Sequence, residues 1–241
     1  MGRIVDAGMT HVTHASGSGT DGSVVVTTMT TETTTPAPSD LDALFEIDAA
    51  TADLLFREAR TVNVFEDTAV PDEAVRAAYD LVRWGPTAMN TVPLRLLVVR
   101  DAAARARLAE HMADGNKAKT LAAPLTIVAA ADPAFHEHLP RLAPHMEGAR
   151  ERFEAGGEAA RVGTARTSAL IQVGYLVVGL RAAGLHVGPM GGFDAAGVDG
   201  EFFSENGWRS LVVINVGTPA GEGASHPRQT RLGFDEVSLT L

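Results

Sequence analysis

Trp84-Gly-Pro-Thr-Ala-Met-Asn-Thr-Val-Pro-Leu-Arg95 joins a stretch of helical apolar spacing, Glu73 to Val82, to a β-prone run, Leu94 to Val99. Gly85-Pro86 ends the helix, because proline disfavours the helical region at the residue before it. Pro93 pre-sets the chain as the strand begins. Thr87, Asn90 and Thr91 therefore stand on a loop braced at both ends, which is how small-molecule sites are commonly built. An ordinary helix-to-strand connection reads the same way on pattern alone.

At 241 residues and 45% hydrophobic content, the chain can bury a full core as one domain. Its net charge of −10 argues against a nucleic-acid partner, which needs a basic face. The absence of cysteine excludes disulfides, thiolate metal sites and cysteine nucleophiles. No apolar run reaches the roughly 18 residues of a membrane span, so a soluble cytoplasmic protein with no membrane partner is expected. Residues 1–38 are rich in Thr, Ser and Gly and close on Thr30-Thr-Glu-Thr-Thr-Thr-Pro-Ala-Pro38, too low in complexity to bury a core. They read as a disordered tail before a single domain at 39–241. An alternative is that Met29 is the natural start. Val24-Val25-Val26 is too short for the apolar region of a signal peptide.

Ser39 is a candidate N-cap for a helix at Leu41 to Phe45, and a second helix is expected at Ala50 to Ala59. After the 94–99 strand come an alanine-rich helix at 101–113, a turn at Gly115 to Lys119 and a buried strand at Pro124 to Ala130. From Asp132 to Gly157 the pattern loosens, which suggests a solvated, mobile segment near a site entrance. His136, His138 and His145 fall there, but His136 and His138 are two apart and no zinc-type spacing is present, so no metal is expected. Thr167 to Ala183 is apolar nearly all round, as in a core or an oligomer interface, with Gln172 and Tyr175 read as satisfied core polar groups or, alternatively, as reaching a ligand. Gly184 reads as a C-cap, Gly191-Gly192 as a close backbone approach, and Asp194 as the cap of a helix from Ala195 to Phe203. No dinucleotide fingerprint is present. Ser210 to Val216 is a third strand, and Arg228 with Arg231 concentrates positive charge in an acidic chain.

The 84–95 loop resembles the Pro-Ser-x-x-Asn-x-Gln-Pro-Trp loop of the FMN-dependent nitroreductase family: Pro86, Thr87, Asn90 and Pro93 match, while Val92 and Leu94 replace glutamine and tryptophan. Four segments together resemble the malonic semialdehyde reductases of reductive pyrimidine degradation (the Rut pathway). They are Ala59 to Asn63, Trp84 to Asn90, Gly115 to Thr120 and Gly188 to Asp194. The resemblance implies an α+β fold, a mostly antiparallel central sheet flanked by helices, in an intertwined homodimer. It implies FMN, with NADH or NADPH as hydride donor. By position, Arg60 and Thr61, with Arg228 and Arg231, would hold the phosphate, and Asn63 in the same segment would also meet the cofactor. Pro86, Thr87 and Asn90 would face the ring. Asn116 and Lys119 would meet its polar edge, and Pro189, Met190, Gly191 and Gly192 would approach N5. No side chain is implied as nucleophile or metal ligand. Ala59 and Asn63 replace family arginines, and Gly191 stands where many members carry glutamate. The implied reaction reduces a small carboxylated aldehyde, malonic semialdehyde to 3-hydroxypropionate, with Arg95, Arg141 or Arg166 binding the carboxylate. Two rivals are a general nitroreductase or quinone reductase and a non-catalytic flavin-binding protein.

Overall fold

The computed structural model describes residues 43–241. The expected disordered tail, the Ser39 cap and the Met29 start lie outside the described residues. Residues 43–47 form exposed turns and bends, so the described part of the helix expected at Leu41 to Phe45 is not helical.

Asp48–Leu241 is a second unit. Asp48 caps helix α1 (Ala49–Ala52), accepting from the Thr51 N–H at 2.7 Å, and a π turn at Asp53–Arg57 continues it. Helix α2 (Asp72–Val82) starts after Pro71 with Asp72 and Glu73 in its first turn, where carboxylates favour the helix dipole. It buries Val75 and Ala78. Strand β1 (Leu94–Val99) follows the central loop at the expected residues. Next come α3 (Ala102–Glu110), α4 (Asp114–Ala122) and β2 (Leu125–Ala131). The turn expected at Gly115 to Lys119 is the first part of α4.

The expected loose segment at 132–157 is packed. A 3₁₀ turn (Phe135–His138), α5 (Leu139–Leu142) and α6 (Ala149–Ala155) bury Phe135, Leu139, Ala143 and Ala149. Each piece is too short to show a helical period in the sequence.

Helix α7 (Glu158–Ala182) runs longer than its apolar stretch and ends at Gly184, whose φ of 75° is the left-handed value glycine accommodates at a C-terminus. It is followed by β3 (His186–Met190), α8 (Ala195–Phe202), β4 (Arg209–Gly217) and α9 (Phe234–Val237). Asp194 occupies the N-cap of α8, but its side chain makes no capping bond.

The sheet is antiparallel throughout, in the order β1-β2-β4-β3. Strand β3 reads as a loop in sequence because Gly188-Pro189 lies inside it; proline is tolerated there because β3 is an edge strand. Strand β2 is buried along its whole length, so its residues feed two cores. Ile127 and Ala129 pack with Val173, Leu176 and Leu180 of α7 and with Val75 and Ala78 of α2. Val128 and Ala130 pack on the other face with Leu108, Met112, Val198 and Phe203. This is a sheet covered by helices on both sides, each face collecting alternate residues. Gly179 permits the close crossing of α7 on α2, since a Cβ there would collide with Val82. Gln172 is a satisfied core group, but Tyr175 is 44% exposed and its ring lies against Gly85.

Candidate functional site

The central loop is strained. Met89, Asn90 and Val92 have φ of 53°, 54° and 42°, and none of them is glycine. Such residues cost about 1–3 kcal/mol each and persist only where surroundings over-determine them. Here the surroundings are visible. The Ala88 N–H donates to Ser168 Oγ at 3.3 Å, and the Val92 N–H to Thr87 Oγ1 at 3.3 Å. The Leu94 N–H donates to buried Gln172 Oε1 at 3.0 Å. Asn90 Nδ2 donates to the Leu142 carbonyl at 2.7 Å. Two of these anchors are on α7, so the long helix holds the loop that precedes β1. Pro86 is exposed and Thr87 half-buried.

Beside the loop opens a cleft of about 580 Å³, bordered by Tyr79, Arg83, Trp84, Arg95, His138 and Arg141 as well as Asn90. Arg95 is committed: it pairs with Asp132 at 2.6 Å and donates to the Val92 and Leu94 carbonyls. Arg83 lies 3.5 Å from Asp80 and over the Trp84 ring at 5.0 Å. Arg141 has no hydrogen bond or ion pair among the described residues. Arg166, the third carboxylate candidate, is exposed on α7 and does not border this cleft.

A second neighbourhood forms around β3. The Val62 N–H donates to the Val187 carbonyl at 3.0 Å and the Asn63 N–H to the Ala224 carbonyl at 2.8 Å, laying Arg60 to Asn63 along the strand. Gly188 makes this approach possible, because a Cβ would run into the Val62 carbonyl. Past Met190 the chain bends, and Asn116 Nδ2 and the Ala113 N–H both donate to the Gly192 carbonyl at 3.0 Å. Lys119, three residues on, shares the helix face of Asn116. A Cβ at Gly191 would meet nothing within 4 Å. Thus Thr61, Asn63, Asn116 and the Pro189 to Gly192 bend are brought together around β3.

Arg60 turns into a neighbouring cavity of about 150 Å³ with Arg181 and His186. Its Nη1 is buried without a partner among the described residues, and its Nη2 is 3.9 Å from Glu58. Burial, then the charge of Arg181, holds the His186 pKa below the usual histidine value. Arg228 and Arg231 are exposed, and Arg231 donates to the carbonyls of Gln229 and Thr230, so they join neither group. The Arg60–Arg181–His186 grouping escapes sequence reading because it joins residues far apart in the chain.

The two neighbourhoods lie on opposite edges of the sheet. Three strand spacings of about 4.8 Å separate β1 from β3, roughly 14 Å.

The histidine segment differs from expectation. His136 is 3% exposed, with Nε2 2.8 Å from Glu154 Oε2 and 3.5 Å from Glu137 Oε1. Its oxygen partners are already engaged, Glu137 by Arg150 at 2.8 and 2.9 Å and Glu154 by Arg161 at 3.0 Å. Arg150 also holds the Glu137 carboxyl below the usual range.

The profile of the Nitroreductase family matches residues 56–218. A Streptomyces griseus protein is 50% identical over 195 residues, 81% of this chain and 98% of its own length. A Leptothrix cholodnii protein is 46% identical over 197 residues, 81% and 98% of the two chains. The name assigned by inference to both is NADH dehydrogenase/NAD(P)H nitroreductase. Neither carries the semialdehyde reductase name that the motifs suggest. Among solved structures, a nitroreductase-like protein of Bacillus subtilis superposes with a TM-score of 0.71 at 18% identity, covering 80% of this chain and 99% of the other. One from Exiguobacterium sibiricum, solved in complex with FMN, gives 0.67 at 17% identity over 79% and 97%. The α+β architecture is that of these proteins.

Proposed function

The chain belongs to the nitroreductase family, and from that premise we propose that it is an FMN-dependent oxidoreductase. It draws hydride from NADH or NADPH and reduces a small carboxylated aldehyde, malonic semialdehyde to 3-hydroxypropionate. When bound, FMN supplies the two-electron chemistry, receiving hydride from the nicotinamide and passing it to the acceptor.

The residues present suit that group. Gly191 leaves open space for a planar ring against the backbone, and Asn116, on the helix face it shares with Lys119, is bonded to the Gly192 carbonyl. Arg60 keeps a buried guanidinium nitrogen without an acceptor, and a phosphate of nearly two negative charges provides one.

One chain supplies only part of the site, because Thr87 and Asn90 stand at the sheet edge opposite Pro189 to Gly192. A homodimer supplies the rest if a second copy brings its loop to the β3 side. Exposed apolar residues suit such an interface: Leu170 and Ile171 on α7, and Leu232, Phe234, Val237 and Leu239 in the tail.

The observation that carries the substrate reading is the cleft beside Asn90, which holds an arginine without an ion pair among the described residues. Gly191 in place of glutamate also removes a charge that would repel an anion. In the reaction, the aldehyde carbon takes hydride and its oxygen takes a proton from water, giving the alcohol. The names carried by the relatives favour a second reading, a nitroaromatic or quinone acceptor. Anaerobically reduced protein mixed with malonic semialdehyde or a nitroaromatic distinguishes them: a higher kcat/KM for the semialdehyde is expected. The opposite order establishes the nitroreductase reading instead.

A further inference from the structure

We propose that the cleft between the Trp84–Arg95 loop and helix α5 is a carboxylate-binding subsite in which Arg141 takes the anion. The proposal sharpens the carboxylated-aldehyde reading and rests on it for the identity of the ligand, though the charge and geometry of the cleft argue for a carboxylate by themselves.

Three arginines border the cleft, and two are already compensated. Arg95 is spent on Asp132 and two backbone carbonyls, and its side chain is only 20% exposed. Arg83 is shared between Asp80 and the face of Trp84. Arg141 alone reaches the cleft without an ion pair among the described residues. The uncompensated charge is therefore one guanidinium, whose planar fork matches a carboxylate. His138, at the N-cap of α5, also borders the cleft. Tyr79 and Trp84 also border the cleft and add aromatic surface to it, with Arg83 lying over the Trp84 ring.

The turn that carries Arg141 is also held in place, although the side chain itself is exposed. Helix α5 has four residues; the Leu139 carbonyl accepts from the Ala143 N–H at 2.8 Å, and the last carbonyls of the turn need partners from outside it. Asn90 Nδ2 supplies one to Leu142 at 2.7 Å and so ties the turn carrying Arg141 to the strained loop. Leu139, 1% exposed, anchors the start of that turn, and Pro140 pre-sets its first residues. The Asn90 bond thus ties the turn that carries Arg141 to the loop that carries Trp84. Asn90 is a positioning residue in this arrangement: it holds the turn and leaves the anion to Arg141.

The test uses FMN-loaded, full-length protein. Calorimetric titration with 3-hydroxypropionate gives the dissociation constant for wild type, Arg141→Ala and Arg141→Lys. In parallel, kcat/KM is measured for malonic semialdehyde and for its uncharged methyl ester. Arg141→Ala is expected to weaken 3-hydroxypropionate binding about 10-fold, the low end for a charge-assisted contact at an open site. The ratio of kcat/KM for acid over ester should fall by a similar factor, and Arg141→Lys should restore part of both. Arginine-dependent binding without turnover of the semialdehyde supports the subsite and removes the substrate reading. Good turnover with an acid-to-ester ratio unchanged in Arg141→Ala keeps the substrate reading and overturns the subsite. Wild-type protein that does not bind 3-hydroxypropionate, or binds it no better than Arg141→Ala, also overturns the subsite.

Discussion

Gly188→Ala tests how the β3 side of the site is assembled. A Cβ at this position falls inside van der Waals distance of the Val62 carbonyl, a backbone atom that cannot swing aside as a side chain would. The segment from Arg60 to Asn63 must move off β3, and with it goes the 3.0 Å bond from the Val62 N–H to the Val187 carbonyl. Overpacking costs about 1–3 kcal/mol, and the lost hydrogen bond adds about 1 kcal/mol. The sum is about 2–4 kcal/mol, which for a chain of this size lowers the melting temperature by about 4–16 °C. FMN content should fall too, because the displaced segment carries Arg60, Thr61 and Asn63. Gly191→Ala is the matched control, since its Cβ enters open space and should shift the melting temperature by no more than about 2 °C. Thermal melts of the flavin-free and flavin-loaded forms, with released FMN measured by absorbance, make the comparison. Equal melting temperatures for Gly188→Ala and Gly191→Ala would refute the packing argument.

Gln172→Leu leaves the buried Leu94 N–H without its acceptor and should cost about 1–3 kcal/mol; urea unfolding checks this as a lower midpoint with an unchanged slope. Gly191→Glu should fold normally, since nothing crowds the position. It should depress kcat/KM for a carboxylated aldehyde more than for a nitroaromatic, and equal losses would show that charge at this position does not select the substrate. His186 has a folded pKa held below the usual value by burial and then by Arg181. The unfolded chain, with a pKa of about 6.5, therefore binds the proton more readily. Stability then rises with pH between the two values and is lost as pH falls below about 6.5. Denaturant midpoints at successive pH values should show a flatter acid side for His186→Gln, and parallel profiles would contradict the shift.

What was legible in the sequence was legible for local reasons. Strand β1 begins and ends where it should because Pro93 and the charged pair Arg100-Asp101 bracket a short apolar run. The loop at 84–95 stood out through its two prolines, but its strain did not. Nothing in the sequence marks Val92 for a φ of 42°; its own N–H is held by Thr87, and its neighbours Ala88 and Leu94 are anchored by Ser168 and Gln172, on a helix some 80 residues away. Strand β3 was hidden by its own Gly-Pro, since an edge position that tolerates proline cannot be known before the strand order is. The 132–157 segment looked loose because its buried residues are divided among short turns. Arg95, Arg141 and Arg166 were all candidates on paper, Arg141 favoured only for lying in the segment that looked loose. Arg95 and Arg141 separate only when Asp132, 37 residues along, is found to neutralise the first.

The central claim is that this chain is an FMN-dependent NAD(P)H oxidoreductase, and the visible spectrum of the purified protein under anaerobic conditions tests it most directly. The protein should be yellow, release FMN and not FAD on heating, lose its flavin absorbance on addition of NADH or NADPH, and recover it on addition of an acceptor. Colourless protein that does not take up added FMN, or bound flavin that neither nicotinamide bleaches, would contradict it.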